Sequence, residues 1–325
     1  MKRRQILSLL GGTASALPLR TWAQIPAKVY RIGVLNPLGA DGGPFDAPFI
    51  RGLAKHGYTE ERNLVIERRG AEGHSERLPQ LLAEIVASKV DVIVAFSYNS
   101  ALAAKQGTTL PVVGYSVGDP VGTGLVDSLA RQGGHLTGIS DVSAQVTPKR
   151  LDLLKQFAPK LRRVAVLYNA DDPAMRLRFV AAEASARDLS VILDPLGVRE
   201  PADFEQAFGA MNRNPPDGIL MVSDPLTNLN RKGIFAFAEA HRLPAIYEYD
   251  FIARSGGLMS YGPDLDESFD RVGALVDRIL RGAKPGELPF EQPTLFRFVF
   301  NQTAAKAIGI EAPASLLAFA DEVID

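Results

Sequence analysis

Residues 114–118 read Gly114-Tyr115-Ser116-Val117-Gly118, a G-x-S-x-G pentapeptide. In serine hydrolases this pattern holds a nucleophilic Ser on a sharp strand-to-helix turn, with an acid and a His following in the chain. The residues downstream argue against that chemistry. Gly118, Pro120, Gly122 and Gly124 follow Ser116 and disfavour an immediate helix, and the nearest helical pattern starts near Leu125. Only His135 and His241 come later. His135 arrives too soon for an acid on a separate strand before it. His241 ends a helix, where a basic residue meets the C-terminal carbonyls without any catalytic role. Ser116 reads better as a loop residue at the carboxyl end of a strand.

Other reactive groupings fare no better. His56, His74, His135 and His241 are scattered, with no H-x-x-H spacing and no Cys in the chain. The glycine-rich "GADGG" (39–43) lacks both the G-x-G-x-x-G of a dinucleotide fold and the Lys-Ser/Thr of a phosphate loop. No metal or cofactor is expected.

What remains is a ring of polar side chains at the carboxyl ends of apolar runs, where open α/β sheets bind ligands. In the first half these are Asn36, Ser97, Tyr98, Asn99, Ser100, Ser116 and Asp119. Ser97 to Ser100 follow "DVIVAF" and precede "ALAAKQ", so their hydroxyls and free N–H groups suit a carboxylate; each is equally readable as a helix cap. In the second half the matching ends carry Tyr168, Asn169, Asp171, Ser223, Asp224, Thr227 and residues 247–250. Asp224 suits an ammonium group, or merely starts a turn before Pro225. Tyr98, Tyr115, Tyr249 and Tyr261 offer apolar faces with polar tips.

The elements that must position this ring alternate. "YRIGVL" (30–35), "LVIERR", "DVIVAF" (91–96) and "PVVGYS" read as strands, and helical periodicity at 44–58, "HSERLPQLLAEIVAS" and "SALAAKQ" separates them. Such alternation implies a parallel sheet covered on both faces. The second half then repeats the first. "RRVAVLYN" (162–169) echoes "YRIGVLNP" (30–37), and "PDGILMVSDPLTN" (216–228) echoes "KVDVIVAFSYN" (89–99). "RLPAIYEYD" (242–250) echoes "TLPVVGYSVGD" (109–119), and "GGLMSYG" (256–262) echoes "GGHLTGIS" (133–140). The fold class expected is therefore α/β, with two similar Rossmann-like lobes and a ligand cleft between them. A long amphipathic helix ending at Gly282, a strand at 293–301 and two closing helices complete the chain.

Composition bounds the partners. A chain of 325 residues is long enough for two domains. Lys2, Arg3 and Arg4 precede a short apolar run, and Thr21 and Ala23 sit at the positions a signal peptidase reads, so residues 1–23 read as an export signal. The paired arginines suggest the twin-arginine route, although Sec signals also begin with basic pairs. Cleavage after Ala23 removes Lys2, Arg3, Arg4 and Arg20 from 36 basic residues and none of the 37 acidic ones, leaving a net charge of −5. A mildly acidic exported protein is a poor partner for nucleic acid or anionic membranes.

The stretches "MKRRQILSLLGG", "RIGVLNP", "GDPVGTGLVDSLARQGGHLTGIS", "RLPAIYEYDFIARSGGLMSYGPDL" and "ILRGAKPGELPFEQPTLFRFVFNQTAAKAIGIEAP" resemble the ABC-transporter substrate-binding proteins of the group with tryptophan- and tyrosine-binding members. The resemblance runs from the leader almost to Asp325. It implies a type I periplasmic-binding fold with three hinge crossings near 140, 255 and 284, placing 29–140 plus 256–283 in the N-terminal lobe and 141–255 plus 284–325 in the C-terminal lobe. Binding residues would map to Ser97–Ser100 and Asp119 on one side, and to Asn169 and Asp224 on the other. The implied partners are a small-molecule ligand and an inner-membrane ABC permease, the protein being a periplasmic monomer. Many relatives are lipoproteins; the absence of Cys implies free diffusion. The expected ligand bears a carboxylate: an aromatic or branched amino acid, or an aromatic acid. A secreted hydrolase using Ser116, or a sensory module serving a signalling receptor, stay open as alternatives.

Overall fold

The computed structural model describes residues 28–130 and 133–325; the export signal read from residues 1–23 lies outside them. The first sheet is built from β1 (Tyr30–Asn36), β2 (Leu64–Gly70), β3 (Val92–Phe96), β4 (Val112–Tyr115) and β5 (Leu136–Ile139), with α1 (Asp46–Lys55), α2 (Leu78–Ala87) and α3 (Ser97–Gly107) between them. All four pairings are parallel, in the order β2-β1-β3-β4-β5. Every residue of β3 is buried, because helices cover both faces of a parallel sheet.

The second lobe opens with α4 (Ser143–Phe157) and continues through β6 (Arg163–Asn169), α5 (Pro173–Asp188), β7 (Ile192–Val198), α6 (Asp203–Arg213), β8 (Gly218–Met221), α7 (Pro225–Leu229), α8 (Arg231–Ala240), β9 (Ala245–Tyr247), α9 (Asp250–Arg254) and β10 (Met259–Pro263). Its strand order β7-β6-β8-β9-β10 repeats that of the first sheet, so the sequence echoes mark true structural equivalents. Then α10 (Leu265–Leu280) leaves for the first lobe. Its buried stripe of Leu265, Phe269, Val272, Val276 and Ile279 has helical spacing. It lies against α1 so closely that a Cβ on Gly52 would stand 2.2 Å from the Phe269 carbonyl oxygen. The chain returns as β11 (Phe296–Asn301), antiparallel to β10, followed by α11 (Gln302–Ala307), α12 (Ala314–Phe319) and β12 (Glu322–Ile324). The tail read as a closing helix thus ends as a strand, since Glu322–Ile324 pairs with β11.

Three segments join the lobes, and two lie elsewhere than the positions near 255 and 284. The first is at 140–142. The second is at 263–264, because β10 pairs with β9 and β11 and only the following helix packs on the first lobe. The third is at 292–295: Glu291 still flanks β5, donating from its N–H to the Gly138 carbonyl at 2.9 Å and accepting from the Ser140 N–H at 3.0 Å. The last two run side by side, joined by Asp264 N–H to Leu295 O at 3.0 Å and by Arg297 Nε to Asp264 Oδ2 at 2.6 Å. In the first, Val142 adopts φ 45°, ψ 28°, a left-handed conformation that is an outlier for a β-branched residue.

Candidate functional site

The carboxyl ends of the two sheets face one another across a cavity with about 470 Å3 of atom-free space, its mouth included. The first lobe contributes Asn36 from the end of β1, Phe96 and Ser97 where β3 becomes α3, Tyr115 and Ser116 from β4, and Pro37, Leu38 and Phe45 from the loop before α1. The second contributes Asp172, Met175 and Arg178 around the start of α5, Ser223, Asp224, Pro225 and Asn228 around the start of α7, and Tyr249 after β9. Phe45 forms an aromatic corner, edge-on to Tyr115 at 6.1 Å and to Tyr249 at 5.9 Å.

The lobes are closed on each other. Tyr249 of the second meets Ser116 of the first at 2.7 Å, and Asn99 Nδ2 reaches Asp172 Oδ2 at 3.3 Å. Gly118 lies so near α5 that a Cβ there would be 2.9 Å from the Ala174 Cβ. Ser116 Oγ donates to Asp141 Oδ2 at 2.9 Å; having one proton, it must accept from the Tyr249 hydroxyl. No imidazole is among its partners, and no helix occurs between β4 and β5 in the described residues. This arrangement makes Ser116 a structural link between lobes, not an activated nucleophile.

Behind it lies a buried ionic cluster. Arg178 donates to Asp141 Oδ2 at 2.6 Å, Glu248 Oε2 at 2.7 Å and the Ser223 carbonyl at 3.0 Å. Arg150 donates to Glu248 Oε1 at 3.0 Å and to the Tyr261 carbonyl at 2.7 Å. Two cations meet two anions, so the cluster is neutral, and removing any one member would strand a buried charge.

The two halves share a local device with different outcomes. Asn36 and Asn169 end equivalent strands, and each accepts at Oδ1 from the backbone N–H two residues on, at 2.9 and 3.0 Å. Asn169 Nδ2 donates to Asp224 Oδ2 at 2.7 Å, whereas Asn36 Nδ2 is buried with no protein partner. Asp172 and Asp224 cap α5 and α7, accepting from Ala174 N and Thr227 N, both at 2.8 Å. The facing helix α3 has no side-chain cap, leaving its first-turn N–H groups free. The first lobe therefore presents donors (Asn36 Nδ2, Ser97 Oγ, the start of α3), and the second presents carboxylates. Burial and the Asp224 charge push the Asp172 carboxyl up to about 6; burial also raises Asp224 against the hydrogen bonds it accepts.

Of the residues singled out from sequence, Asn36, Ser97, Tyr115, Ser116, Ser223, Asp224 and Tyr249 line the cavity. Asn99 and Asn169 stand one step behind, each holding an aspartate. Others lie away from it. Ser97–Ser100 is already the first turn of α3, which turns Ser100 fully inward and carries Tyr98 into the core. Asp119 folds back onto its own turn, accepting from Gly122 N at 2.9 Å. Tyr261 stacks on Phe296 at 6.1 Å. Asp172 was missed in favour of Asp171, although an acid directly before Pro173 is a helix-start signal. Arg178 and Asn228 lie within helices, and nothing in their spacing marks them. Among the described residues no three His, Asp or Glu side chains converge as a metal site.

Two sheets of order 2-1-3-4-5, three connections and a closed cleft define the type I periplasmic-binding architecture. The chain belongs to the ABC transporter substrate binding protein family, whose model matches residues 43–324. A tyrosine-binding protein of Clostridioides difficile (strain R20291) is 25% identical over 270 residues, covering 81% of this chain and 76% of that protein. A conserved domain protein from Vibrio cholerae superposes with TM-score 0.85 at 26% identity, over 91% of this chain and all of that one. The L-Trp complex of an ABC domain from Streptococcus pneumonia gives 0.84 at 23% identity, over the same shares. The ligand-free, open form of an adhesive substrate-binding protein from Clostridium difficile gives 0.62 at 24% identity, over 88% and 97%. Members of this family are substrate-binding proteins, not enzymes, which removes the hydrolase reading of Ser116.

Proposed function

We propose that the protein is the periplasmic receptor of an ABC importer and that it captures a small amino acid zwitterion with an aromatic or branched side chain. The observation that carries this is the polarity of the cavity. Unpaired donors line the first lobe, a pair of carboxylates lines the second, and an aromatic corner lies at Phe45. A carboxylate fits against Asn36, Ser97 and the free end of α3, and an ammonium fits against Asp172 and Asp224. An aromatic acid lacking the amine would leave those aspartates unmatched, which favours the amino acid over the acid. The tyrosine-binding relative and the L-Trp complex support the same class.

Capture requires opening about the three connections, and the closed form is the shape offered to a permease. We take the receptor to be a monomer exported by the leader read at residues 1–23; among the described residues no helix is long and apolar enough to cross a membrane. A thermal-shift screen of residues 24–325 against amino acids, aromatic acids, sugars and short peptides tests the reading. A ligand at about 100 times its Kd adds roughly 2.7 kcal/mol. Stabilisation confined to amino acids supports the proposal, and stabilisation by sugars or amine-free acids alone refutes it.

A further inference from the structure

We infer that in mildly acidic solution Asp172 and Asp224 hold one proton between them while no cation lies in the cleft, and that an entering ammonium group displaces it, so that ligand capture there releases a proton. This rests on the amino acid reading above.

Both carboxylates are buried, at 2% and 4% exposure, on the same wall. Every group that donates to them is neutral. Asp172 receives Ala174 N–H and the Asn99 amide; Asp224 receives Thr227 N–H, its hydroxyl and the Asn169 amide. The helix N-termini they cap favour their charge only partially. Among the described residues no Lys, Arg or His forms an ion pair with either. Arg178, on α5, is the cation acting on Asp172, but Asp141 and Glu248 already neutralise it, and those two anions add only repulsion behind it. From the first lobe α3 presents Asn99 and Tyr98, neither charged near neutral pH. Two like charges in one desolvated wall, with no counter-ion, resist ionising together. The direction of both carboxyl shifts agrees.

A second observation points to a donor-rich ligand group here. Ser223 Oγ and Asn228 Oδ1 line the same wall, at 3% and 5% exposure, with no protein partner. An ammonium has three N–H donors, and the pair together with these two oxygens supplies acceptors for all of them.

The sign follows directly. The empty protein carries the extra proton below about pH 6 and the complex does not, so affinity falls as pH falls through that value, by up to tenfold per unit. The amino and carboxyl groups of the ligand do not titrate between pH 5 and 7.5, so the proton comes from the protein.

The test is calorimetric titration of residues 24–325 with L-tyrosine and L-tryptophan at pH 5.5 and 7.5, in buffers of low and high ionisation enthalpy. At pH 5.5 the observed enthalpy should depend on the buffer with a slope near one proton released, shrinking towards zero at pH 7.5. In Asp172→Asn, which keeps a capping oxygen for α5, the slope at pH 5.5 should vanish. N-acetyl-L-tyrosine, which has no ammonium, should release none. Binding of either amino acid with equal affinity at both pH values and no buffer dependence overturns the coupling alone. No binding of either at pH 7.5 overturns the aromatic amino acid reading, and the inference with it.

Discussion

Ser116 shows how one side chain acquires meaning from what surrounds it. Its φ of 54° is strained, as a nucleophile's can be, but its proton goes to Asp141 and its lone pair to Tyr249. The bond to Tyr249 joins the first lobe to the second across the closed cleft. Ser116→Ala should therefore leave the buried Tyr249 hydroxyl without its acceptor in the closed state. The expected loss is about 1–2 kcal/mol, roughly five- to thirtyfold in Kd, with little change in the Tm of the ligand-free protein. Calorimetry and thermal unfolding on one preparation would check both halves. An equal fall in Tm and affinity would mean the residue serves folding instead. Asn36 and Asn169 were legible as strand-end polar residues because their equivalence is written in the repeat. Arg178 and Asn228 were not, since helix periodicity fixes which residues face inward but not which end in a cavity.

At the scale of elements, the strands were readable because burial on both faces makes continuous apolar runs such as Val92–Phe96. Placement across lobes was harder. The repeat itself equates "GGLMSYG" with β5 and so with the second sheet, and β10 is there; the boundary near 255 ignores that equivalence. Whether α10 stays or crosses is decided by packing against Gly52, which no local pattern declares. The loop between β4 and β5 bears a second testable feature. Gly118 has φ 73°, and a Cβ there would press on Ala174 across the cleft. Gly118→Ala should add roughly 1 kcal/mol of backbone strain and obstruct closure. At least a tenfold rise in Kd is expected by calorimetry, the strands being untouched in far-ultraviolet circular dichroism. Unchanged affinity would show that the lobes close with room to spare at this point.

For the whole molecule, the closed lobes predict a measurable change of size. Small-angle scattering of the ligand-free protein should give a larger radius of gyration than the complex, and the curve calculated from the closed form should fit the complex alone. Identical radii would mean that closure does not depend on ligand. The same data give the mass, and a dimer would contradict the monomer proposed above.

The left-handed Val142 has a bearing on time. It stands in the first connection between the lobes, directly after Asp141, which accepts from Ser116 and Arg178. If opening relieves the torsional strain there, the strain loads the closed state, and the residue works as an escapement that sets how long a captured molecule stays. Val142→Gly removes the load, and dissociation followed by stopped-flow fluorescence should slow by roughly five- to thirtyfold, the equivalent of about 1–2 kcal/mol. An unaltered rate would mean the strain is carried equally by the open form. A receptor that must surrender its cargo to a transporter gains from such a load: tight capture would otherwise outlast the encounter at which delivery takes place.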